Sequence, residues 1–390
     1  MENKYNLSSS TWDNKEIAAI KKVIDSGFYS MGKYVKSFEE KFADYIGSNY
    51  CVMVNSGSSA NLLGIASLFY QRENPLRQGD EVIVPAVSWS TTYTPLQQYG
   101  LKVKFVDIDI NTLNYDLEKL ETAITDKTRL ILAVNLLGNP NNFEIINQFI
   151  SNKDIIIFED NCESMGAEFQ NKKAGTFGEI GTFSTFFSHH ISTMEGGLIV
   201  TDNEELYHIL LSIRAHGWTR NLPFNNLIHK KSDNPFYEQF KFILPGYNVR
   251  PLEISGAIGI EQLIKLPNFI TNRISNAKYF KNIFSDYKNF KIQKEIGKSS
   301  WFGFSFIINE NSGVNRDTVI QLLNDNGVET RPIVTGNFLN NPVIKYFDYE
   351  IHESVDNADK LDKNGFFVGN HHYNMENQID LLSKLLKKYE

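Results

Sequence analysis

The sequence predicts an α/β protein: a large domain whose mostly parallel mixed sheet lies between helices, followed by a smaller α+β domain. Three observations indicate this class. Short β-rich runs alternate with helix-like stretches between residues 50 and 160, which is the pattern of βαβ units. A different pattern, with longer helical stretches, begins after Pro251. The length of 390 residues is sufficient for two packed units.

Five predicted strands build the large sheet, separated by helix-like stretches. In chain order they cover residues 50–54, 81–85, 103–107, 129–136 and 154–159. In sheets of this kind the ligand binds beyond the carboxyl ends of the strands. We therefore expect the functional residues on the loops that follow these strands. A polar stretch at 221–234 predicts a long loop rather than a domain linker.

The C-terminal part of the chain predicts the smaller domain. It contains two helical stretches, a strand and a third helix, at residues 252–264, 270–284, 301–308 and 317–326. We place the boundary at residue 250. A large cofactor-binding domain with an N-terminal arm then covers residues 1–250, and a small C-terminal domain covers residues 251–390.

Composition and charge exclude several classes of function. The net charge of −7 comes without a basic block, which argues against a nucleic-acid-binding surface. No apolar run approaches the roughly 20 residues that span a bilayer, and residues 1–15 lack the features of a secretion signal, so we expect a cytoplasmic protein. Cys51 and Cys162 are too few for a disulfide framework or an ordinary iron-sulfur cluster, and we expect no metal site.

A short turn of small polar residues follows the first predicted strand. It includes Ser56, Gly57 and Ser58 and leads into a helix. Backbone N–H groups and a serine hydroxyl in such a turn can converge on a phosphate at the positive end of the helix dipole. Serine-rich turns that only cap a helix are far commoner. Ser184, in a later segment, is a second candidate phosphate ligand and favours the phosphate interpretation.

Two other loops offer groups that suit a planar ring with a protonated nitrogen. Asp160 follows the strand at 154–159, and a carboxylate there can pair with such a nitrogen, although aspartates at strand ends more often cap helices. Glu163 lies slightly further along the chain. Trp89 follows the strand at 81–85 and offers a flat face, although core packing is the commoner role of a tryptophan. The expected position of these groups at one edge of the sheet favours ligand binding.

Together these motifs resemble the DegT/DnrJ-type sugar aminotransferases, and the resemblance extends over essentially the whole chain. Further similar segments are residues 30–32, 216–220, 245–250 and 254–263. The resemblance implies the aspartate-aminotransferase-like fold, which is fold type I of pyridoxal-phosphate-dependent transferases. It implies pyridoxal 5′-phosphate or pyridoxamine 5′-phosphate as cofactor, with Glu163 near the ring hydroxyl. It also implies that Asn248 reaches the cofactor phosphate of a neighbouring subunit, which predicts a homodimer with shared active sites.

His189 occupies the position at which this family has a lysine. In the family a serine precedes the Schiff-base lysine by five residues, and here Ser184 precedes His189 by the same number. The sequence has no lysine between Lys173 and Lys230, so a small shift in register does not supply one. Without that amine the cofactor cannot be held covalently. The adjacent His190 is expected to serve in packing or in substrate contact.

One branch of the family has histidine at this position and consists of 3-dehydratases of nucleotide-linked 4-keto-6-deoxyhexoses. Residues 189–190 and 194–197 are similar to this branch. Closer similarity to its members in the colitose pathway is found at residues 10–13, 87–93, 137–142 and 331–338. The resemblance implies GDP-4-keto-6-deoxymannose as substrate and L-glutamate as amino donor, which leaves as 2-oxoglutarate. A CDP-sugar relative depends on an iron-sulfur cluster and a reductase, but two cysteines cannot build that cluster, so we expect no reductase partner.

Histidine suits dehydration better than transamination. Imidazole has an unperturbed pKa of about 6.5 and can move a proton near neutral pH. We expect His189 to remove a proton from the C4′ carbon of the cofactor and to assist departure of the sugar's C3 hydroxyl. Without a lysine to complete nitrogen transfer, the expected products are the 4-keto-3,6-dideoxy sugar and ammonia.

Other residues and other functions remain open. Arginine suits anionic groups, so contacts to the substrate are expected from basic residues, although surface ion pairing explains them equally well. These candidates are His216, Arg220, Arg250 and Arg331. A purine could stack on phenylalanines near the long loop, or these could be core residues: Phe236, Phe240 and Phe242. A nucleotide-sugar 4-aminotransferase would share nearly every motif, and a non-catalytic cofactor-binding regulator is a further alternative.

Overall fold

The structure, a computed structural model, describes residues 4–390 and has twelve α-helices and thirteen strands in that range. The helices α1 to α12 are Asn14–Ser26, Lys33–Ile46, Gly57–Leu68, Ser90–Gln98, Leu117–Ala123, Phe143–Phe149, Glu204–Ile213, Pro235–Glu238, Glu253–Phe284, Arg316–Asp325, Asp356–Asn364 and Glu376–Leu386. The strands β1 to β13 are Tyr50–Val54, Glu81–Pro85, Lys102–Val106, Thr128–Val134, Ile156–Asp160, Glu168–Phe169, Lys172–Lys173, Ile180–Ser184, Gly197–Thr201, Phe290–Ile292, Gly303–Ile308, Tyr349–Ile351 and Gly365–Gly369.

Eight strands form one large sheet in the order β1-β9-β8-β5-β4-β2-β3-β12. The pairs β1–β9 and β9–β8 are antiparallel, and all other neighbours are parallel. The five predicted strands correspond to β1 to β5, with ends that differ by at most two residues. The predicted mostly parallel mixed sheet is therefore confirmed.

Helices cover both faces of this sheet, which explains why strands β2, β8 and β9 are buried along their whole length. Side chains alternate between the faces. Val82 and Val84 of β2 belong to the core that also contains Leu63 of α3. Ile83 between them belongs to a separate core with Leu120 of α5. The two cores, one on each face of the sheet, fix the carboxyl ends of the parallel strands at one edge, where the predicted site residues lie.

One expectation was wrong. The two helical stretches predicted at 252–264 and 270–284 are a single 32-residue helix, α9, which continues through Pro267. A proline inside a helix removes one backbone hydrogen bond. Burial compensates for this loss, because α9 packs against α1 and α2 on one side and buries Leu266 and Phe269 on either side of the proline. Tertiary packing thus overrides the local effect of the proline.

The C-terminal part contains an antiparallel sheet of three strands in the order β10-β11-β13. Its core is rich in aromatic rings, and Phe280 of α9 stacks on Phe304 of β11 with 4.1 Å between ring centroids. One strand from this part, β12, pairs instead with β3 of the large sheet. The division at residue 250 stays a prediction. No helix within residues 4–390 is long and apolar enough to cross a membrane.

Candidate active site

A cavity of about 530 Å³ lies at the carboxyl ends of the parallel strands. Nine of the thirteen predicted site residues line it, and they come from five separate segments of the chain. These nine are Ser56, Gly57, Ser58, Trp89, Asp160, Glu163, Ser184, His189 and Arg331. Four predicted residues, Asn248, His216, Arg220 and Arg250, are not among the lining residues.

Ser56 and Gly57 form the start of helix α3 at one end of the cavity. Ser56 is the N-cap, and its hydroxyl accepts a hydrogen bond of 3.1 Å from the backbone N–H of Ser59. A Cβ atom on Gly57 would lie 2.6 Å from the Cβ of Ser184, which is too close for any side chain. Glycine at this position therefore brings the Ser184 hydroxyl next to the helix N-terminus. Hydroxyls and unpaired helix N–H groups together suit a phosphate.

Asp160 is fixed at the tip of β5 by three hydrogen bonds. Its Oδ2 accepts from the Thr92 hydroxyl at 2.8 Å and from Nδ2 of Asn61 at 2.9 Å, and its Oδ1 accepts from the backbone N–H of Cys162 at 3.1 Å. All three donors stabilise the charged carboxylate. Asn61 and Thr92 were not predicted as site residues. Helical spacing is the signal that could have found them, because Asn61 lies four residues after Gly57 in α3.

Glu163 and Trp89 form the sides of the cavity. Glu163 accepts a hydrogen bond of 3.1 Å from the backbone N–H of Leu137 and lies 3.7 Å from the guanidinium of Arg331. Burial raises the pKa of Glu163, and the charge of Arg331 opposes this shift. Trp89 is 57% exposed, so it is not a core residue. Its indole is available for a ring in the cavity.

His189 lies in the cavity wall between two phenylalanine rings. The centroid of its ring is 5.9 Å from that of Phe186 and 5.3 Å from that of Phe302. Its Nδ1 atom is buried without a hydrogen-bond partner. Burial, together with the charges of Arg331 and Arg273, lowers the pKa of His189 to about 3. The imidazole is therefore neutral at physiological pH and can accept a proton.

The neighbouring His190 has a different environment. Its side chain is fully buried, and Nε2 lies 3.2 Å from the carbonyl oxygen of Ser300. It does not line the cavity. Burial holds the pKa of His190 well below its usual value. Of the two roles considered for this residue, packing is the one that its surroundings support.

The four predicted residues outside the cavity come from two segments, 216–220 and 248–250, and two of them contact Trp218. The guanidinium of Arg250 is 5.5 Å from the centre of the Trp218 ring, and its Nε donates to Oδ1 of Asn248 at 2.9 Å. The ring of His216 lies 4.6 Å from that of Trp218. Arg220 is exposed. Phe240 and Phe242 also pack against Trp218 and are exposed, so they are not core residues, and neither is Phe236. We call this group the Trp218 cluster.

The model of the DegT/DnrJ/EryC1/StrS aminotransferase family matches residues 10–382. The chain belongs to this family. A protein of Escherichia coli O55:H7 named GDP-4-keto-6-deoxy-D-mannose 3-dehydratase is 64% identical over 98% of this chain and 99% of its own length.

Two solved structures are similar in fold over nearly the whole chain. One is E. coli GDP-4-keto-6-deoxy-D-mannose-3-dehydratase with bound hydrated pyridoxal phosphate; its TM-score is 0.98, with 63% identity over 99% of this chain and 100% of that one. The other is a GDP-4-keto-6-deoxymannose-3-dehydratase with a trapped adduct of pyridoxal phosphate and glutamate, with a TM-score of 0.97 and 64% identity over 98% of this chain and 100% of that one. The predicted fold type I is thereby confirmed.

Proposed function

We infer that this chain is a lyase that removes the C3 hydroxyl of GDP-4-keto-6-deoxy-D-mannose, with pyridoxal or pyridoxamine phosphate as cofactor and L-glutamate as amino donor. One observation carries this inference beyond family membership. None of the described residues that line the cavity is a lysine, and His189 lies among them. A family member with this cavity cannot hold its cofactor through an amine of the protein. The likeness to the 3-dehydratases over the full length supports the same reaction.

The cavity walls fit the proposed cofactor. When bound, pyridoxal phosphate supplies an aldehyde that takes up an amino group and a ring that delocalises electrons. We assign its phosphate to the segment 56–58 with Ser184, because the lack of a side chain at Gly57 brings the Ser184 hydroxyl next to the start of α3. Asp160 would pair with the ring nitrogen and Trp89 would cover the ring face. Glu163, whose pKa is raised by burial, would contact the ring hydroxyl.

His189 would act first as a base. Its neutral imidazole would accept a proton from the carbon that joins the cofactor ring to the transferred nitrogen, and would then donate a proton to the departing C3 hydroxyl. The imidazole is neutral in the cavity, so no prior deprotonation is needed for the first step. The proton gained in the first step is the one needed in the second. Phe186 and Phe302 beside the ring limit the access of water to this exchange.

The electron balance needs no external reductant. Replacing C3–OH by C3–H is a two-electron reduction of the sugar. Oxidation of L-glutamate to 2-oxoglutarate and ammonia releases two electrons. The net reaction consumes one sugar nucleotide and one L-glutamate, and it yields the 3-deoxy sugar nucleotide, 2-oxoglutarate and ammonia. This agrees with the two cysteines of the chain, Cys51 and Cys162, which are both free thiols.

The test is to incubate the cofactor-loaded protein with L-glutamate and GDP-4-keto-6-deoxymannose and to identify the products by mass spectrometry and NMR. We expect a 4-keto-3,6-dideoxy sugar with one ammonia released per turnover. The His189→Lys variant is the matched comparison, and we expect it to lose dehydration. An amino sugar from the wild-type protein would instead support a 4-aminotransferase. Cofactor binding with no turnover would support a regulator.

We also propose a homodimer in which Asn248 reaches the phosphate site of the neighbouring protomer. Asn248 is exposed and is not among the residues that line the cavity of its own chain. Its segment is held in place, since the backbone N–H of Asn55 donates to the carbonyl of Val249 at 3.0 Å. Light scattering would give the mass of the assembly, and mixing inactive His189 and Asn248 variants should restore activity if sites are shared. A cytoplasmic location stays a prediction.

A further inference from the structure

A second, smaller cavity of about 240 Å³ adjoins the active-site cavity. Ser188, Phe302 and Arg331 belong to the walls of both. Residues 7–9 of the N-terminal arm form part of its other side. A molecule that binds beside His189 can therefore extend past Arg331 into this second cavity. We call it the arm cavity.

The arm cavity is lined by cationic groups and by no acidic ones. Arg273 and Arg331 belong to its wall, as does His371, and no aspartate or glutamate does among the described residues. Burial lowers the pKa of Arg273 to about 10, so its guanidinium stays charged at neutral pH. Burial, with a contribution from the charge of Arg273, also lowers the pKa of His371 to about 4, so the histidine adds no charge. The arm cavity therefore favours an anion.

Arg273 has an unusual set of partners for a buried cation. It is only 4% exposed, and its Nη1 donates to the backbone carbonyls of Phe302 at 3.0 Å and Asn370 at 2.6 Å. Its Nε is buried without a partner, and it forms no ion pair with any described carboxylate. Burying a cation without a counter-charge is costly. A bound carboxylate would supply that counter-charge.

Arg331 is also incompletely paired. Its Nη2 lies 3.7 Å from the Oε1 of Glu163, which is longer than a hydrogen bond, and its Nε is buried without a partner. The planar fork of a guanidinium binds a carboxylate through two parallel hydrogen bonds. Arg331 stands where the two cavities meet. Arg273 and Arg331 thus both belong to the wall of the arm cavity, and neither has a carboxylate within hydrogen-bond distance among the described residues.

We propose that the arm cavity binds the side-chain carboxylate of a dicarboxylic amino donor between Arg273 and Arg331. This rests on the proposed function, in which the amino group of the donor must lie beside His189. If the donor has a second carboxylate, that carboxylate lies in the arm cavity, next to Arg273 and Arg331. A monocarboxylic amino acid leaves them without a counter-charge. Arg273 therefore selects the donor class and does not touch the reacting atoms.

The test uses glutarate as a probe, because it has both carboxylates of L-glutamate and no amino group that could react. Calorimetry on the cofactor-loaded protein should show glutarate binding at least tenfold more tightly than butyrate, which has one carboxylate. The variant Arg273→Gln removes the charge, and the variant Ser8→Phe narrows the arm cavity. Each should weaken glutarate binding at least tenfold. Both should raise the KM for L-glutamate and leave the KM for the sugar nucleotide unchanged. Exposed Arg77→Gln is the control and should match the wild type.

Equal binding of glutarate and butyrate would overturn the proposal, as would unchanged glutarate binding in both variants. If Arg273→Gln does not fold, as judged by its thermal melt, Ser8→Phe decides alone, because Ser8 forms no hydrogen bond with a described residue. Product analysis remains independent of these measurements. A protein that makes a different sugar product but selects glutarate would overturn the proposed function and keep the arm cavity as a dicarboxylate site.

Discussion

The two ends of the active-site cavity differ in how their polar groups are paired. At the end formed by Asp160 and the start of α3, the side chains are already bonded to one another, as in the pairs of Asp160 with Asn61 and Thr92. At the other end, His189 and Arg331 each have a buried nitrogen without a partner. The side chains at the first end are already hydrogen-bonded to one another, whereas the second end has polar nitrogens that form no hydrogen bond.

This difference indicates that one end of the cavity binds the cofactor and that the other end takes part in the reaction. Side chains that are fixed by neighbours are preorganised, and they can bind a group without rearrangement. A buried polar atom without a partner costs free energy, and in a cavity wall a bound ligand can recover part of that cost. We therefore expect substitutions at the unpaired end to change turnover, and substitutions at the paired end to change cofactor affinity first.

The largest effect should come from His189→Gln, which keeps a side chain of similar length but removes the base. We expect turnover to fall by about 10³-fold, within the range that general acid–base catalysis contributes. The absorbance of bound pyridoxal phosphate should persist. The matched control is His190→Gln, which should lower the melting temperature and change turnover little. Equal losses of turnover in the two variants would break the distinction between the adjacent histidines.

Asp160→Asn should have the next largest effect. It removes the charge that would pair with the protonated ring nitrogen and turns one hydrogen-bond acceptor toward Thr92 or Asn61 into a donor. We expect the dissociation constant of pyridoxal phosphate to rise by about 10²-fold, which corresponds to about 2.7 kcal/mol. Fluorescence titration measures it directly. A variant with normal cofactor affinity and reduced turnover alone would place Asp160 with the reacting groups.

A smaller effect concerns stability at acid pH. The pKa of His189 is lowered to about 3 in the folded chain, against about 6.5 in the unfolded chain. Between these two pKa values the unfolded state binds one more proton at His189 than the folded state does. The contribution of His189 to the free energy of unfolding is therefore fully present above pH 6.5 and decreases as the pH drops toward 3. One such group contributes at most about 1.4 kcal/mol per pH unit. Denaturant unfolding at pH 7, 6 and 5 should show a shallower loss in His189→Gln than in the wild type.

The smallest effect should come from Ser58→Ala. The Ser58 hydroxyl donates to the Thr91 hydroxyl at 2.9 Å, and the backbone N–H groups of α3 remain in the variant. We expect a loss of about 1 kcal/mol in cofactor affinity, the usual contribution of one hydrogen bond. Titration with pyridoxal phosphate checks it. A loss as large as that of Asp160→Asn would mean that cofactor binding at this end depends on side chains rather than on backbone groups.

The sequence predicted the paired end of the cavity well. Ser56 lies two residues after β1 and Asp160 is the last residue of β5, and the topology of the sheet brings such positions to one edge. Trp89 was found for the same reason, as the loop after β2 ends at this edge. Local pattern and topology are enough where a residue's position depends on the strand that precedes it.

The unpaired end could be predicted only in part. His189 was found through its distance from Ser184, which is local, whereas Arg273 lies within α9 and nothing in its neighbourhood marks it as a site residue. Its position depends on the carbonyls of Phe302 and Asn370, both distant in sequence. The same holds for β8, β9 and β12, which join the large sheet through pairings that no local pattern determines. The placement of His216 and Arg250 beside Trp218 also depends on such contacts.

The long helix α9 has a mechanical consequence. With 32 residues at 1.5 Å each it is about 48 Å long, and it runs without interruption from the large sheet's helices to the aromatic core around Phe280. Because α9 is one continuous helix, the two cores cannot rotate freely as they could about a flexible linker. Relative movement of the two cores must bend α9, and α9 bends most easily at Pro267, where one backbone hydrogen bond of the helix is missing. Arg273 lies less than two turns beyond that point, so flexing there would change the width of the arm cavity.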